Sequence, residues 1–93
     1  MHNEIWKYTL QEQKETILDI PVGAVILTVQ QQKEKPVLWA LVDPEGPKEP
    51  RKFRLVATGE RFDARWMTYI GTFTMHGWFV AHLFEKHVTL PDA

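Results

Sequence analysis

The sequence predicts a small all-β domain, and two observations lead to this prediction. Apolar residues recur at every second position through most of the chain, which is the period of a strand with one buried face. No window of eleven or more residues carries apolar residues at the helical spacing i, i+3, i+4 and i+7. We therefore expect one domain over residues 1–93, an antiparallel β-sandwich or barrel of about seven strands, ordered from about 4 to 86.

The first two predicted strands alternate as half-buried strands do. The segment EIWKYTL places Trp6, Tyr8 and Leu10 on one face, and ETILDI places Leu18 and Ile20 on one face. Only the polar segment QEQK separates them, so the two segments predict an opening hairpin.

The third and fourth strands differ in how much of their surface is apolar. After the break PVG, the segment AVILTVQQQ is predicted to point Val25, Leu27 and Val29 to one face. Beyond the polar turn QQKEK, Val37 through Val42 are apolar on both faces, as in a central strand covered from two sides. One of those covers could be another subunit.

The segment PEGPKEP, residues 44–50, holds three prolines and a glycine and therefore predicts a surface loop. The following segment, RKFRLVATG, alternates Phe53 and Leu55 with Lys52 and Arg54, as a half-exposed strand does. The tail, residues 87–93, is expected to be loosely held.

The segment MTYIGTFTMHGWFVAHLFE, residues 67–85, predicts a hairpin with His76 and Gly77 as a two-residue turn. All paired residues of this register share the inward face: Met75 opposite Trp78, Phe73 opposite Val80, Gly71 opposite His82, and Tyr69 opposite Phe84. His82 would then pack its ring over Gly71 as a core or pocket-wall residue. Contact with a ligand is the alternative for His82, and metal or acid–base work is a third.

Composition excludes several classes of function. Eleven basic and twelve acidic residues leave no broad positive field, so general nucleic-acid binding is not expected. The longest apolar runs, AVIL and VLWALV, are far shorter than the ~20 residues of a membrane span, and the N-terminus shows no secretion signal. The absence of cysteine suits a reducing compartment, and we expect a cytoplasmic protein without membrane contact.

No motif for catalysis is present. The chain contains neither serine nor cysteine, and its histidines lack the spacing of metal ligands. We expect no enzyme activity, no catalytic residue, no metal and no cofactor.

Arginines alternate with aromatic residues between positions 51 and 69. Arginine grips phosphate or carboxylate with two hydrogen bonds and aromatic rings stack on bases, so this combination suits a small anionic ring-bearing ligand such as a nucleotide. The candidate ligand-binding residues are Arg54, Arg61 and Arg65 for the phosphate, Trp66, Tyr69 or Trp39 for the ring, and His82. Contact with a partner protein is one alternative. The other is that the arginines pair with nearby carboxylates such as Glu60 and Asp63.

Five blocks of the sequence resemble a family of short tailed-phage and prophage proteins of unknown function. The blocks are IWKYTL, IPVGAVILTVQ, LWALVDPE, FRLVATG and YIGTF…HG…V.H.FE, in this order from Ile5 to Glu85. The resemblance implies an intracellular life in the host cytoplasm during infection and brings no catalytic residue with it. In that setting we expect a homo-oligomeric accessory protein, such as an anti-defence sponge that sequesters a nucleotide-derived signal. The alternatives are an inhibitor that binds a host protein through a strand edge or aromatic patch, and a minor structural or morphogenetic virion component.

Overall fold

A computed structural model describes residues 2–12 and 15–87. These residues form seven strands in two antiparallel sheets that pack as a sandwich, which confirms the all-β prediction and decides between sandwich and barrel. No helix that could cross a membrane occurs in this part of the chain. The prediction for the tail falls, apart from His87, outside the described residues. The strands are β1 (Glu4–Thr9), β2 (Thr16–Pro21), β3 (Val25–Gln32), β4 (Lys35–Val42), β5 (Lys48–Ala57), β6 (Met67–Met75) and β7 (Phe79–Lys86).

Sheet A has the order β1-β4-β3 and sheet B the order β2-β5-β7-β6. The predicted opening hairpin is therefore wrong, because β1 and β2 lie in different sheets. The amide of Leu10 donates to the carbonyl of Pro36 at 2.9 Å and so prolongs the pairing of β1 with β4 instead of turning towards β2. The chain passes between the sheets after Leu10, and the amide of Gln11 is satisfied by the hydroxyl of Thr16 at 2.8 Å.

Both sheets contribute to one hydrophobic core. The predicted inward faces of β1 and β2 are confirmed, because Leu10 and Ile20 are buried and the remaining three residues pack against the core. Strand β4 lies at the centre of sheet A, as its apolar pattern predicts. The largest buried contributions come from Leu38, Val29 and Val42 of sheet A and from Ile20, Phe53, Met75 and Leu83 of sheet B.

The predicted inward face of β3 is wrong at Val25 and Leu27 because this strand contains a β-bulge. The register with β4 shifts between Ile26 and Thr28, which makes Leu27 the extra residue. Ile26 packs against the core before the bulge and Val29 is buried after it, whereas Val25 and Leu27 are exposed. An added residue reverses the alternation, and period-two counting cannot detect it.

The predicted loop at 44–50 is shorter than expected. The turn is closed by a hydrogen bond from the amide of Gly46 to the carbonyl of Asp43 at 3.0 Å, and β5 already begins at Lys48. Pro50 pairs with Asp19 of β2, while the pairing with β7 starts only at Lys52. The missing amide hydrogen of Pro50 is therefore tolerated, because β7 does not extend to this position.

The hairpin of β6 and β7 has a three-residue loop in place of the predicted two-residue turn. His76 and Gly77 have positive φ angles of 55° and 79°, and the amide of Trp78 donates to the carbonyl of Met75 at 3.1 Å. The tight turn is thus where the sequence predicts it. Trp78 is an additional residue, however, and Met75 pairs with Phe79.

This shift leaves the predicted face of β6 correct from Gly71 to Met75 and reverses that of β7. Tyr69 pairs with Phe84 as predicted, but both point outward, because Ile70 is a second extra residue that reverses the alternation of β6. Phe73 and Met75 are buried as expected, but Ala81, Leu83 and Glu85 point inward on β7 where Val80, His82 and Phe84 were predicted. Gly71 lies opposite Leu83, not His82. A Cβ atom on Gly71 would lie 3.3 Å from Cγ1 of Val29, so glycine here permits close approach of β6 to β3.

An arginine joins the two sheets at one edge of the core. Arg51 of β5 donates from Nε and Nη2 to the carboxylate of Glu85 on β7, at 2.6 and 2.7 Å. Its Nη1 donates to the carbonyl of Ala24, next to β3, at 2.6 Å. The side chains of Arg51 and Glu85 are only 18% and 11% exposed, and we call these contacts the Arg51 clamp.

A histidine joins three turns at one end of the molecule. His76 Nε2 lies 2.8 Å from the carboxylate of Glu12, and Nδ1 lies 3.4 Å from that of Glu34. Its backbone amide also donates to the side-chain oxygen of Gln31. We call this set of contacts the His76 tether.

Candidate functional site

The outward face of sheet B brings cations and aromatic rings together. Lys52 of β5 pairs with Lys86 of β7, and the next outward row joins Arg54, Phe84 and Tyr69 across β5, β7 and β6. Residues two positions apart on a strand share a face, so both rows point away from the core. This face therefore combines positive charge with ring surface.

Three rings form a platform on this face. The ring of Phe84 lies 5.1 Å from that of Phe62 and 5.6 Å from that of Tyr69, with tilted and edge-on geometries. Tyr69 is exposed, and Phe62 and Phe84 are half-buried. We call these three residues the aromatic platform, and its exposed part can accept a planar ring.

Arg54 already has an anionic partner. Its Nη2 donates to Oε2 of Glu60 at 2.5 Å, while Oε1 of Glu60 accepts the amide hydrogen of Ala57 at 3.0 Å. The hydrogen bond from Ala57 and the guanidinium of Arg54 lower the pKa of Glu60. A ligand that uses Arg54 must compete with this carboxylate.

Arg65 is paired in the same way. Its Nε and Nη2 donate to Asp63 at 3.0 and 2.6 Å, and its backbone amide donates to the same carboxylate at 3.0 Å. These hydrogen bonds lower the pKa of Asp63 to about 2. The neighbouring Trp66 is exposed, and Arg61 is exposed without an ion-pair partner among residues 2–12 and 15–87.

The residues that sequence reasoning missed are Lys52 and Lys86. They lie directly opposite each other, and in the part of the chain that the structure describes both form an ion pair with Glu15, whose carboxylate oxygens are 3.8 and 3.9 Å from the two Nζ atoms. Like charges in this arrangement destabilise a sheet. The two lysines border a cavity of about 530 Å³ whose walls also include His87 and the carboxylates of Glu49 and Glu85, the latter paired with Arg51. Lys52 stands out in the alternating pattern of β5, but its pairing with Lys86 becomes visible only once the strand order is known.

His82 lies on this outward face and is half-buried, opposite Thr72. Its Nε2 is 2.8 Å from the hydroxyl of Thr58 and its Nδ1 is 2.8 Å from the hydroxyl of Thr72, which in turn is 2.6 Å from the hydroxyl of Tyr69. The expected local hydrogen bonds of both ring nitrogens are present, although the predicted position over Gly71 is wrong. Through this chain His82 positions the hydroxyl of Tyr69 in the aromatic platform.

Trp39 is separated from the other candidates. It lies on the outward face of sheet A, opposite Lys7 of β1, and the core of the sandwich stands between it and sheet B. The fold therefore brings Arg54, Tyr69 and His82 onto one face, with Arg65 and Trp66 just before β6, and excludes Trp39 from that group.

Potential metal ligands do not converge in the described ranges 2–12 and 15–87, where no group of three or more histidine, aspartate or glutamate side chains could hold an ion.

These features define a small β-sandwich with a basic aromatic face. A family profile described as a domain of unknown function (DUF7352) matches residues 1–92, and the chain belongs to this family. No curated protein and no solved structure matches the chain significantly.

Proposed function

We propose that the protein is a non-enzymatic binding protein that captures a small anionic, ring-bearing ligand derived from a nucleotide on the outward face of sheet B. The observation that carries this proposal is the pair Lys52 and Lys86, which face each other beside a cavity and, among the described residues, share one carboxylate, that of Glu15, at 3.8 and 3.9 Å. A bound anion would relieve the repulsion between the two ammonium groups.

Different residues of this face contact the phosphate groups and the ring of the ligand. Lys52 and Lys86 hold the phosphate groups, since within residues 2–12 and 15–87 neither forms an ion pair shorter than 3.8 Å. The ring stacks on the exposed part of the aromatic platform, in the row next to Lys86. Arg54 contributes after exchange of its Glu60 partner, and Arg65 and Trp66 lie at the border of the face.

The resemblance to short phage proteins suggests a role for this ligand binding in an infected cell. Sequestering a nucleotide signal inside an infected cell requires binding without turnover, and a binding face without catalytic groups suits that task. We propose the host cytoplasm as the place of action and an anti-defence role as the purpose.

Thermal unfolding with a ligand panel tests the proposal. A ligand that binds only the native state raises the melting temperature by linkage. We expect shifts with cyclic dinucleotides or ATP at about millimolar concentration, where even weak sites are occupied, and smaller shifts with inorganic phosphate alone or with adenosine. The double variant Lys52→Met/Lys86→Met should lose the shift, whereas Lys35→Met on sheet A should keep it. The absence of any shift with the whole panel would disprove the proposal, as would a shift that the double variant retains.

A further inference from the structure

The carboxylate of Glu15 lies between the two lysines of the proposed binding face. Its Oε2 is 3.8 Å from Nζ of Lys52, and its Oε1 is 3.9 Å from Nζ of Lys86, so each oxygen faces one ammonium group. Glu15 comes directly before β2, in which Ile17 pairs with Lys52. Glu15 therefore already occupies the place where the proposed ligand would put its anionic group.

Both contacts of Glu15 are longer than hydrogen bonds. A charge-assisted N–H···O bond is about 2.7–2.9 Å long, so Glu15 balances the charge of the two lysines without gripping either of them. The side chains of Lys52, Glu15 and Lys86 are 35%, 39% and 44% exposed. Ion pairs that are this open to water contribute little to stability. The carboxylate can therefore leave the lysines at a small cost.

The other ion pair on this face is held more firmly. Glu60 accepts one hydrogen bond from Arg54 at 2.5 Å and one from the backbone amide of Ala57 at 3.0 Å. The amide keeps the carboxylate of Glu60 in place. In the part of the chain that the structure describes, no backbone amide anchors the carboxylate of Glu15 in this way. Of the two carboxylates, that of Glu15 is thus the easier one to displace.

We infer that Glu15 is an internal competitor of the ligand: its carboxylate neutralises the lysine pair in the free protein and is displaced when an anion binds. This role rests on the proposed function and identifies the residue that sets the affinity of the site. A ligand with one negative charge offers the lysines no more charge than Glu15 does, so the exchange gains little. A ligand with two or more negative charges gains additional attraction and forms the shorter hydrogen bonds. The site should therefore favour nucleotides that carry at least two negative charges.

Isothermal titration calorimetry with AMP and cyclic AMP at about pH 8 tests this role. The two ligands share the adenine ring, but at this pH the phosphate of AMP is a dianion and that of cyclic AMP a monoanion. The wild type should bind AMP at least about tenfold more tightly than cyclic AMP. Glu15→Gln should lower both Kd values by the same factor, about three- to tenfold, because neither ligand then has to displace a carboxylate.

Two further variants control for other effects of the substitution. Glu45→Gln removes the same charge from the exposed turn between β4 and β5 and should leave both Kd values unchanged. Glu15→Ala should tighten binding by about the same factor as Glu15→Gln, because both lack the carboxylate. Thermal unfolding without ligand should show all three variants folded, since the side chains that they change are not buried.

The results separate this role from the proposed function. If neither the wild type nor Glu15→Gln binds any nucleotide of the panel, both are disproved. If the wild type binds AMP and the two Glu15 variants bind it with the same Kd, only the role of Glu15 is disproved. An equal gain in Glu45→Gln would also overturn it, because net charge alone would then explain the effect.

Discussion

Arg51 and Glu85 form the least exposed ion pair among the described residues. Its guanidinium satisfies both oxygens of Glu85 and the carbonyl of Ala24, and the hydrogen bonds to Glu85 raise its pKa despite desolvation. Removing one partner would leave the other charge nearly buried and unpaired.

Arg51→Met should therefore lower the free energy of unfolding by about 2–4 kcal/mol, somewhat less than the ~3–5 kcal/mol for a fully buried pair. The matched control is Arg65→Met, which breaks a bidentate pair whose arginine side chain is 80% exposed and should barely change stability. Chemical denaturation measures both. Equal losses for the two variants would contradict the role assigned to the clamp.

His76 gives the stability of the protein a pH dependence. The hydrogen bond to Glu12 is the main cause that raises its pKa, with additional attraction from the Glu12 and Glu34 carboxylates. A raised pKa in the folded state means that the stabilisation is complete below the unfolded value of about 6.5. It is lost as the pH rises through the folded value.

The variant His76→Asn tests this dependence, since asparagine tolerates the positive φ of 55° at this position. We expect the melting temperature of the wild type to fall more steeply than that of His76→Asn as the pH rises from about 6 to about 8.5, the range in which a histidine of raised pKa titrates. Glu12→Gln should flatten the curve in the same way. Parallel curves for wild type and His76→Asn would show that the imidazole of His76 does not contribute to the pH dependence of stability.

At the scale of elements, the hairpin of β6 and β7 should tolerate the deletion of Trp78. His76 and Gly77 already have the positive φ angles of a two-residue turn, and Met75 and Phe79 pair across the base of the loop. Trp78 is 77% exposed and lies outside the pairing.

Deleting Trp78 should give a folded protein with a melting temperature close to that of the wild type, because every strand pair of the hairpin is kept. Deleting Val80 should unfold the protein, because it shifts the register and turns buried side chains of one strand outward. Far-UV circular dichroism and thermal unfolding distinguish these results. A folded Val80 deletion, or an unfolded Trp78 deletion, would contradict the observed register.

The observed registers show which parts of the fold can be predicted from the sequence alone. Periodicity predicts the all-β class, the central place of β4 and the inward faces of β1 and β2, because these segments alternate without interruption. It fails where an extra residue resets the alternation: Leu27 in β3, Ile70 between Tyr69 and Gly71, and Trp78 in the hairpin loop. A bulge changes which face each later side chain occupies and leaves no mark in the composition.

The contacts of the candidate site were likewise predictable only in part. Contacts between near neighbours, such as Arg65 with Asp63, follow from the sequence and were among its alternatives. The approach of Lys52 to Lys86 depends on strand order, since β5 and β7 are separated by β6 in the chain but are neighbours in sheet B. Long-range pairing of this kind has no local signal.

At the scale of the whole molecule, the two sheets share a single core. Leu38 and Val42 from sheet A and Phe53 and Leu83 from sheet B belong to one buried cluster, and the Arg51 clamp ties the sheets at its edge. Neither sheet can lose its partner and keep its apolar face buried.

We therefore expect one cooperative unfolding transition. Two tryptophans lie in sheet A and two immediately precede β6 and β7, and their fluorescence should follow the same denaturant curve as far-UV circular dichroism. Single-tryptophan variants that retain Trp39 or Trp66 would report on each sheet separately. Transitions that separate by more than experimental error would show that the sheets unfold independently.

The bulge at Leu27 has one more consequence. Strand β3 is an edge strand, and a straight edge with free amide and carbonyl groups invites chains to join side by side into fibrils. The additional residue bends β3 and interrupts its regular spacing, so another strand cannot dock along its full length. The bulge thereby protects the β3 edge of sheet A, beside its exposed aliphatic side chains, against side-by-side pairing with another chain.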